Sequence, residues 1–154
     1  MRVEQRQPTQ RLGLDDDLLD RIFSARGIDD PSQLERGLAN LLSPADLPEI
    51  DVAAARLADA VEQNQNILIV GDFDADGATS VALCLLALRA MGAVNVDFLV
   101  PNRFDYGYGL SPEIVRLAAT RAPNVIVTVD NGVASVDGVA MANEAGIDLS
   151  LIHI

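Results

Sequence analysis

Lysine is absent from this 154-residue chain, and all 11 basic residues are arginine. Within these residues that excludes a Walker A phosphate loop and Schiff-base chemistry. There is no tryptophan, one histidine and one cysteine. Cys84 has no partner for an internal disulfide. It lies in an apolar, helix-like segment and reads as a small core residue. No apolar run is long enough to span a bilayer. Nothing after Arg2, Glu4, Gln5 and Arg6 resembles the apolar core of a signal peptide. The expectation is a cytoplasmic protein with no membrane partner. The formal net charge of -12 argues against a free-standing nucleic-acid-binding module, which normally carries a basic face. A metal-dependent nuclease core is less constrained, because cations held by carboxylates supply local positive charge.

What the chain does have is a 49% hydrophobic content, enough for a packed globule. It also has one unusual stretch, Ile67-Leu68-Ile69-Val70-Gly71-Asp72-Phe73-Asp74-Ala75-Asp76-Gly77. A short apolar run stops at a glycine, and aspartates follow at alternate positions. In an α/β protein this places carboxylates beyond the carboxyl end of a strand, where such folds keep their ligand crevice. Carboxylates crowded this closely are tolerated when a hard cation such as magnesium or manganese neutralises them. A solvated acidic turn explains the glycines but not the carboxylates behind a buried strand. A calcium loop of EF-hand type needs a glutamate at its twelfth position, where Leu83 stands. A haloacid-dehalogenase-type phosphatase also places Asp-x-Asp after a strand, but it later uses a lysine.

The organisation changes near residue 66. Before it, the pattern predicts helices over 15–26, from Asp30-Pro31 onward, and over 52–63. The second would carry Leu34, Leu38, Leu41 and Leu42 as its stripe, and the third would be capped by Asp51. We read 1–65 as a helical preface. After it, strands at 67–70, 96–100 and 124–129, and a fourth from 147, alternate with helices at 78–91, 111–121 and 135–145. That alternation implies parallel pairing. The predicted fold class is α/β, a parallel sheet with flanking helices, preceded by a short all-helical segment.

Two further constellations belong to that sheet. Strand 124–129 runs into Asp130-Asn131-Gly132. Alone, Asp130 reads as a helix cap. Beside the first motif it reads as a carboxylate at the same sheet edge, able to share a metal centre if the two strands are neighbours. The loop after strand 96–100 holds Asn102, Arg103, Asp105, Tyr106 and Tyr108, the last between Gly107 and Gly109. Arg103 can pair with a phosphate, and Tyr106 or Tyr108 can stack on a base. Equally, the loop can be rigid structure, with its aromatics on the core and Arg103 paired to Asp105.

With these motifs in order, the chain resembles the RecJ-type exonucleases of the DHH phosphoesterase superfamily. The matching residues are 70–80, Val100-Pro101-Asn102-Arg103-Phe104, 107–113 and Val127-Thr128-Val129-Asp130-Asn131-Gly132. The resemblance implies a metal-dependent hydrolase that removes nucleotides from the 5′ end of single-stranded DNA in repair and recombination. It implies two divalent ions, magnesium or manganese. Asp74 and Asp76 match the first metal motif and Asp130 the second, and these three are the catalytic candidates. Asp72 lies in the first motif and joins the metal candidates. Asn102, Arg103 and Tyr108 are the substrate-binding candidates. Many relatives carry a histidine ligand where this chain has Val70.

The likeness assigns 66–148 to the N-terminal part of a DHH phosphoesterase domain. The family would then continue into Asp-His-His. Here the chain reads Leu-Ser-Leu-Ile-His-Ile, which is also the conceptual translation of a transposon-end sequencing adapter. Residues 149–154 are therefore expected to be a non-native tail, His153 is not assigned as a ligand, and this truncated chain is expected to be inactive alone. The alternatives are a DHH relative acting on short oligonucleotides or nucleotides, and a non-catalytic metal-binding fragment.

Overall fold

A computed structural model describes residues 10–132 and 134–151, the last by its backbone alone. His153 lies outside the described residues. The chain divides into two compact units, with the boundary between Leu47 and Pro48.

In the first unit, helix α1 (Asp17–Ala25) starts where Asp16 accepts hydrogen bonds from the Leu18 and Leu19 amides. The buried Asp20 carboxylate ties down the approach to it, accepting from the amides of Leu12, Gly13 and Leu14 and from the Ser24 hydroxyl. The helix expected from Pro31 does not form. Asp30 and Gln33 do make a reciprocal capping box. The chain then makes only short 3-10 turns at Pro31–Leu34, Leu38–Asn40 and Pro44–Asp46, separated by extended residues such as Glu35 and Gly37. Leu38, Leu41 and Leu42 stay exposed. A short helix in water needs a buried face to persist, and this segment buries none within its unit.

The second unit begins with α2 (Ile50–Glu62). Its N-cap is Glu49, at φ 59°, and Asp51 sits in the first turn instead of capping. Although expected as part of the preface, α2 packs on the sheet through Ala60, Leu57 and Val61. The sheet has four strands: β1 (Ile67–Val70), β2 (Val96–Leu99), β3 (Val125–Thr128) and β4 (Asp148–Leu151). Their order is β2-β1-β3-β4, and every recorded pairing is parallel. β1 and β3 are neighbours, with Val70 opposite Thr128. Both are apolar runs rich in Ile and Val and are buried along their whole length, as central parallel strands covered on both faces must be. Residues 149–151 supply most of β4.

Alternation along β1 splits the core in two. Ile67 and Ile69 meet Val81, Leu85 and Leu88 of α3 (Ala75–Ala90), on the face that also holds α2. Leu68 and Val70 meet Ile114, Val115 and Ala118 of α5 (Pro112–Ala119) and Ala142 of α6 (Val136–Glu144) on the other. The loop after β2 is not wholly irregular, since Arg103–Tyr106 forms a single turn, α4. After β1 the chain moves outward to β2, then returns to the opposite side of β1 to form β3 and β4. The carboxyl ends of β1 and β3 therefore flank a topological switch point, where open α/β sheets form their crevice.

Candidate active site

Helix α3 begins earlier than the sequence pattern predicts, and Asp74 is the reason. Its Oδ1 accepts a hydrogen bond from the Gly77 amide at 3.0 Å, making Asp74 the N-cap. That places Asp76 in the exposed first turn. Gly77 is required there by close approach: a Cβ would stand 2.4 Å from the Asp72 carbonyl oxygen. Gly71 is similarly confined, with a Cβ at 2.3 Å from a Val81 methyl. The two glycines let helix α3 press its first turn against the end of β1.

The second acidic turn comes from β3. Asp130 adopts φ 58°, in the left-handed region that aspartate tolerates better than most residues. Burial pushes its carboxyl above the ordinary value of 3.8. The charges of Asp74, Asp76 and Asp72 act in the same sense. The acidic residues of both motifs thus act on one another across the switch point. Among the described residues, no three acidic, histidine or cysteine side chains converge closely enough to form a closed cage for an ion. The donors present are carboxylate oxygens, hard ligands suited to magnesium or manganese.

Asp72 is placed differently. It is buried, while Asp74 and Asp76 are exposed. Its Oδ1 accepts from the Phe73 amide at 2.8 Å, and its Oδ2 accepts from Arg103 Nη2 at 3.0 Å. The Arg103 guanidinium lies 3.9 Å from the Phe73 ring centroid and 5.5 Å from that of Tyr108. The Tyr108 hydroxyl donates to the Asp130 backbone carbonyl at 3.1 Å. The loop after β2 is therefore fastened to both acidic turns.

This settles part of the choice left open for that loop. Arg103 pairs with Asp72, not Asp105. Asp105 instead accepts from Asn102 Nδ2 at 2.8 Å. Asn102 Oδ1 also caps α4 by accepting from the Phe104 amide, so its side chain is committed to the loop itself. Tyr106 packs on the core, whereas Tyr108 is 65% exposed.

Two residues of the site were not legible in the sequence. Phe73 stands between two aspartates and gives no periodic signal, yet it is the nearest ring to Arg103. Asn131 is buried, and its Nδ2 donates to the carbonyls of Val70 and Val129. Only the adjacency of β1 and β3 makes sense of it.

Comparison with known proteins places the chain by family and fold. A model described as the DHH family, N-terminal domain, matches residues 66–153, more than half of the chain. The chain belongs to the DHH family. Among its DHH relatives, the single-stranded-DNA-specific exonuclease RecJ of Haemophilus influenzae is 51% identical over 130 residues, covering 84% of this chain and 23% of that protein. RecJ of Escherichia coli is 48% identical over 130 residues, covering 84% and 22%. Among the solved structures that resemble the chain are an exonuclease RecJ bound to manganese and RecJ of Thermus thermophilus in complex with Mn2+. The first has a TM-score of 0.64 at 32% identity, covering 72% of this chain and 28% of that one. The second has a TM-score of 0.59 at 29% identity, covering 84% and 17%. The chain thus spans between 17% and 28% of the length of these proteins. No helix among the described residues is long and apolar enough to cross a membrane.

Proposed function

We propose that the chain forms the metal-binding amino-terminal part of an exonuclease that hydrolyses single-stranded DNA from its 5′ end. The observation that carries this reading is the meeting of two acidic turns, from β1 and β3, at the switch point of a parallel sheet. Similarity to RecJ along most of the chain supports the substrate class, and the 5′ polarity is what the family resemblance implies.

Asp74, Asp76 and Asp130 are the residues that would hold magnesium or manganese. Such ions, when bound, activate water and stabilise the attacking and leaving oxygens of a phosphoryl displacement. The chain's own residues prepare that chemistry. Asp74 is fixed by its bond from Gly77, and Asp76 by its place in the first turn of a packed helix. The backbone of Asp130 is fixed by Tyr108. Arg103 supplies a fixed positive charge for phosphate oxygens, in a chain that has no lysine to do so. Tyr108 offers an exposed ring on which a base can rest.

The test uses the protein expressed from its complete reading frame, with single-stranded DNA labelled at either end. Manganese-dependent release of nucleotides from the 5′ end is expected. Asp76→Asn should reduce it by about 100-fold or more, since loss of even an outer-shell metal partner costs on that order. Equal digestion of duplex DNA, or a rate untouched by Asp76→Asn, would refute the reading.

A further inference from the structure

Asp72 shares a motif with Asp74 and Asp76 but not their surroundings. Its side chain is 10% exposed, and each of its oxygens is engaged, one by the Phe73 amide and one by Arg103. A ligand for a hard cation must present an oxygen lone pair toward the ion. Each Asp72 oxygen already accepts a protein hydrogen bond and Arg103 supplies its opposite charge, so it keeps less lone-pair capacity for an ion than Asp76, which is exposed. The Arg103 side chain is 45% exposed, and its recorded hydrogen bonds among the described residues go to Asp72 alone. A guanidinium carries five N–H donors, so most remain for another partner. Phe73 at 3.9 Å and Tyr108 at 5.5 Å limit where the group can move.

We propose that Asp72 is a positioning residue and not a metal ligand: with Phe73 and Tyr108 it forms a seat that holds the Arg103 guanidinium beside the acidic crevice, where its free donors meet backbone phosphate oxygens of the nucleic acid. This rests on the reading of Asp74, Asp76 and Asp130 as the metal-holding set. It divides the first acidic motif by function. The two exposed aspartates serve the cation, and the buried one serves the arginine. It also gives Phe73 a role. An aromatic at that position closes the seat from below, and its ring is the part of the motif that no metal site needs.

The test uses the full chain and two readouts. The first is Mn2+ affinity, followed by electron paramagnetic resonance of the free hydrated ion. Asp76→Asn and Asp130→Asn should weaken binding about 10-fold or more. Asp72→Asn should weaken it no more than about threefold, the long-range effect of one charge through water. The second readout is the NMR signal of the Arg103 side chain in metal-free protein. The Phe73 ring should shift it away from the other arginines. Asp72→Asn and Phe73→Leu should each move it back toward them, while Phe73→Leu leaves Mn2+ affinity unchanged. An Asp72→Asn variant that loses Mn2+ as severely as Asp76→Asn would overturn the proposal. So would an Arg103 signal indifferent to both substitutions. If the wild-type chain binds no Mn2+, the metal reading fails on its own, and the Arg103 signal alone decides whether Asp72 is its anchor.

Discussion

Asn131 ties the end of one strand to the end of another: its Nδ2 donates to the Val70 carbonyl at 3.2 Å. It makes a second bond to the Val129 carbonyl at 2.9 Å. Val70 is the last residue before the first acidic motif, and Asn131 follows Asp130 directly. One buried amide therefore joins the backbone behind both sets of carboxylates. Asn131→Ala leaves the Val129 carbonyl short of its side-chain donor, while the Val70 carbonyl keeps the Val129 amide at 3.0 Å, and should cost about 1 kcal/mol in denaturant unfolding. Asn131→Asp should cost more at neutral pH, because a carboxylate would face those carbonyls and follow Asp130 directly. Unfolding midpoints equal to wild type for both variants would show that the bridge carries no weight.

Asp130 makes the metal-free protein sensitive to pH in a definite sense. Its folded-state carboxyl titrates above the ordinary value of 3.8, through burial first and then the neighbouring aspartates. The folded state therefore binds a proton more readily than the unfolded state, and ionisation of this group opposes folding. Its contribution grows more favourable as pH falls from above the raised value toward the ordinary one. Asp130→Asn should then stabilise the metal-free chain at neutral pH. The gain should vanish below about pH 3.8, where both states of the wild type are protonated. Thermal unfolding at a series of pH values checks this, and a gain independent of pH would contradict it.

Gly77 should not tolerate a side chain. Its Cβ would lie 2.4 Å from the Asp72 carbonyl oxygen and 2.8 Å from the Asp72 amide nitrogen, backbone atoms that cannot rotate away. Alanine is ordinarily favoured over glycine within a helix by about 1 kcal/mol. Here the sign should reverse, with Gly77→Ala destabilising by about 1–3 kcal/mol through overpacking. Gly37→Ala, with nothing within 4 Å of its Cβ, is the control and should be nearly neutral. Equal unfolding midpoints for the two variants would remove close packing as the reason for glycine at 77.

Arg103→Ala should weaken binding of single-stranded DNA by the complete protein and flatten its dependence on salt. Loss of one phosphate contact on a single strand lowers the slope of log affinity against log salt by about 0.7. Tyr108→Phe keeps the ring and removes only the bond to the Asp130 carbonyl, so it should leave that slope unchanged. Titrations at several salt concentrations separate the two. A wild-type slope for Arg103→Ala would assign the arginine to the loop alone.

The sheet was legible because β1 is an apolar run stopping at Gly71, β3 is a largely apolar run, broken only by Thr128, that leads into Asp130, and strands separated by helices pair in parallel. From that, Asp74, Asp76 and Asp130 could be placed at one edge before any coordinates. The preface was less legible. Leu34, Leu38, Leu41 and Leu42 have helical spacing, but spacing alone does not supply a surface to bury them, and only short turns form. The partner of Arg103 was also beyond reach. Asp105 was near in sequence, while Asp72 is 31 residues away and becomes adjacent only because β1 pairs with β2. The capping role of Asp74 was hidden for a related reason. A carboxylate can serve a helix and a cation at once, and sequence shows the residue without showing which oxygen is occupied.

The central claim is that acidic turns from β1 and β3 serve one divalent-cation site. Anomalous diffraction at the manganese edge, from crystals of the protein soaked in Mn2+, tests it most directly. The account predicts a peak at the switch point within coordination distance of both the Asp76 and Asp130 carboxylates, abolished in crystals of Asp130→Asn. A peak bound by one acidic turn alone and unchanged by Asp130→Asn, or none at the switch point, would contradict it.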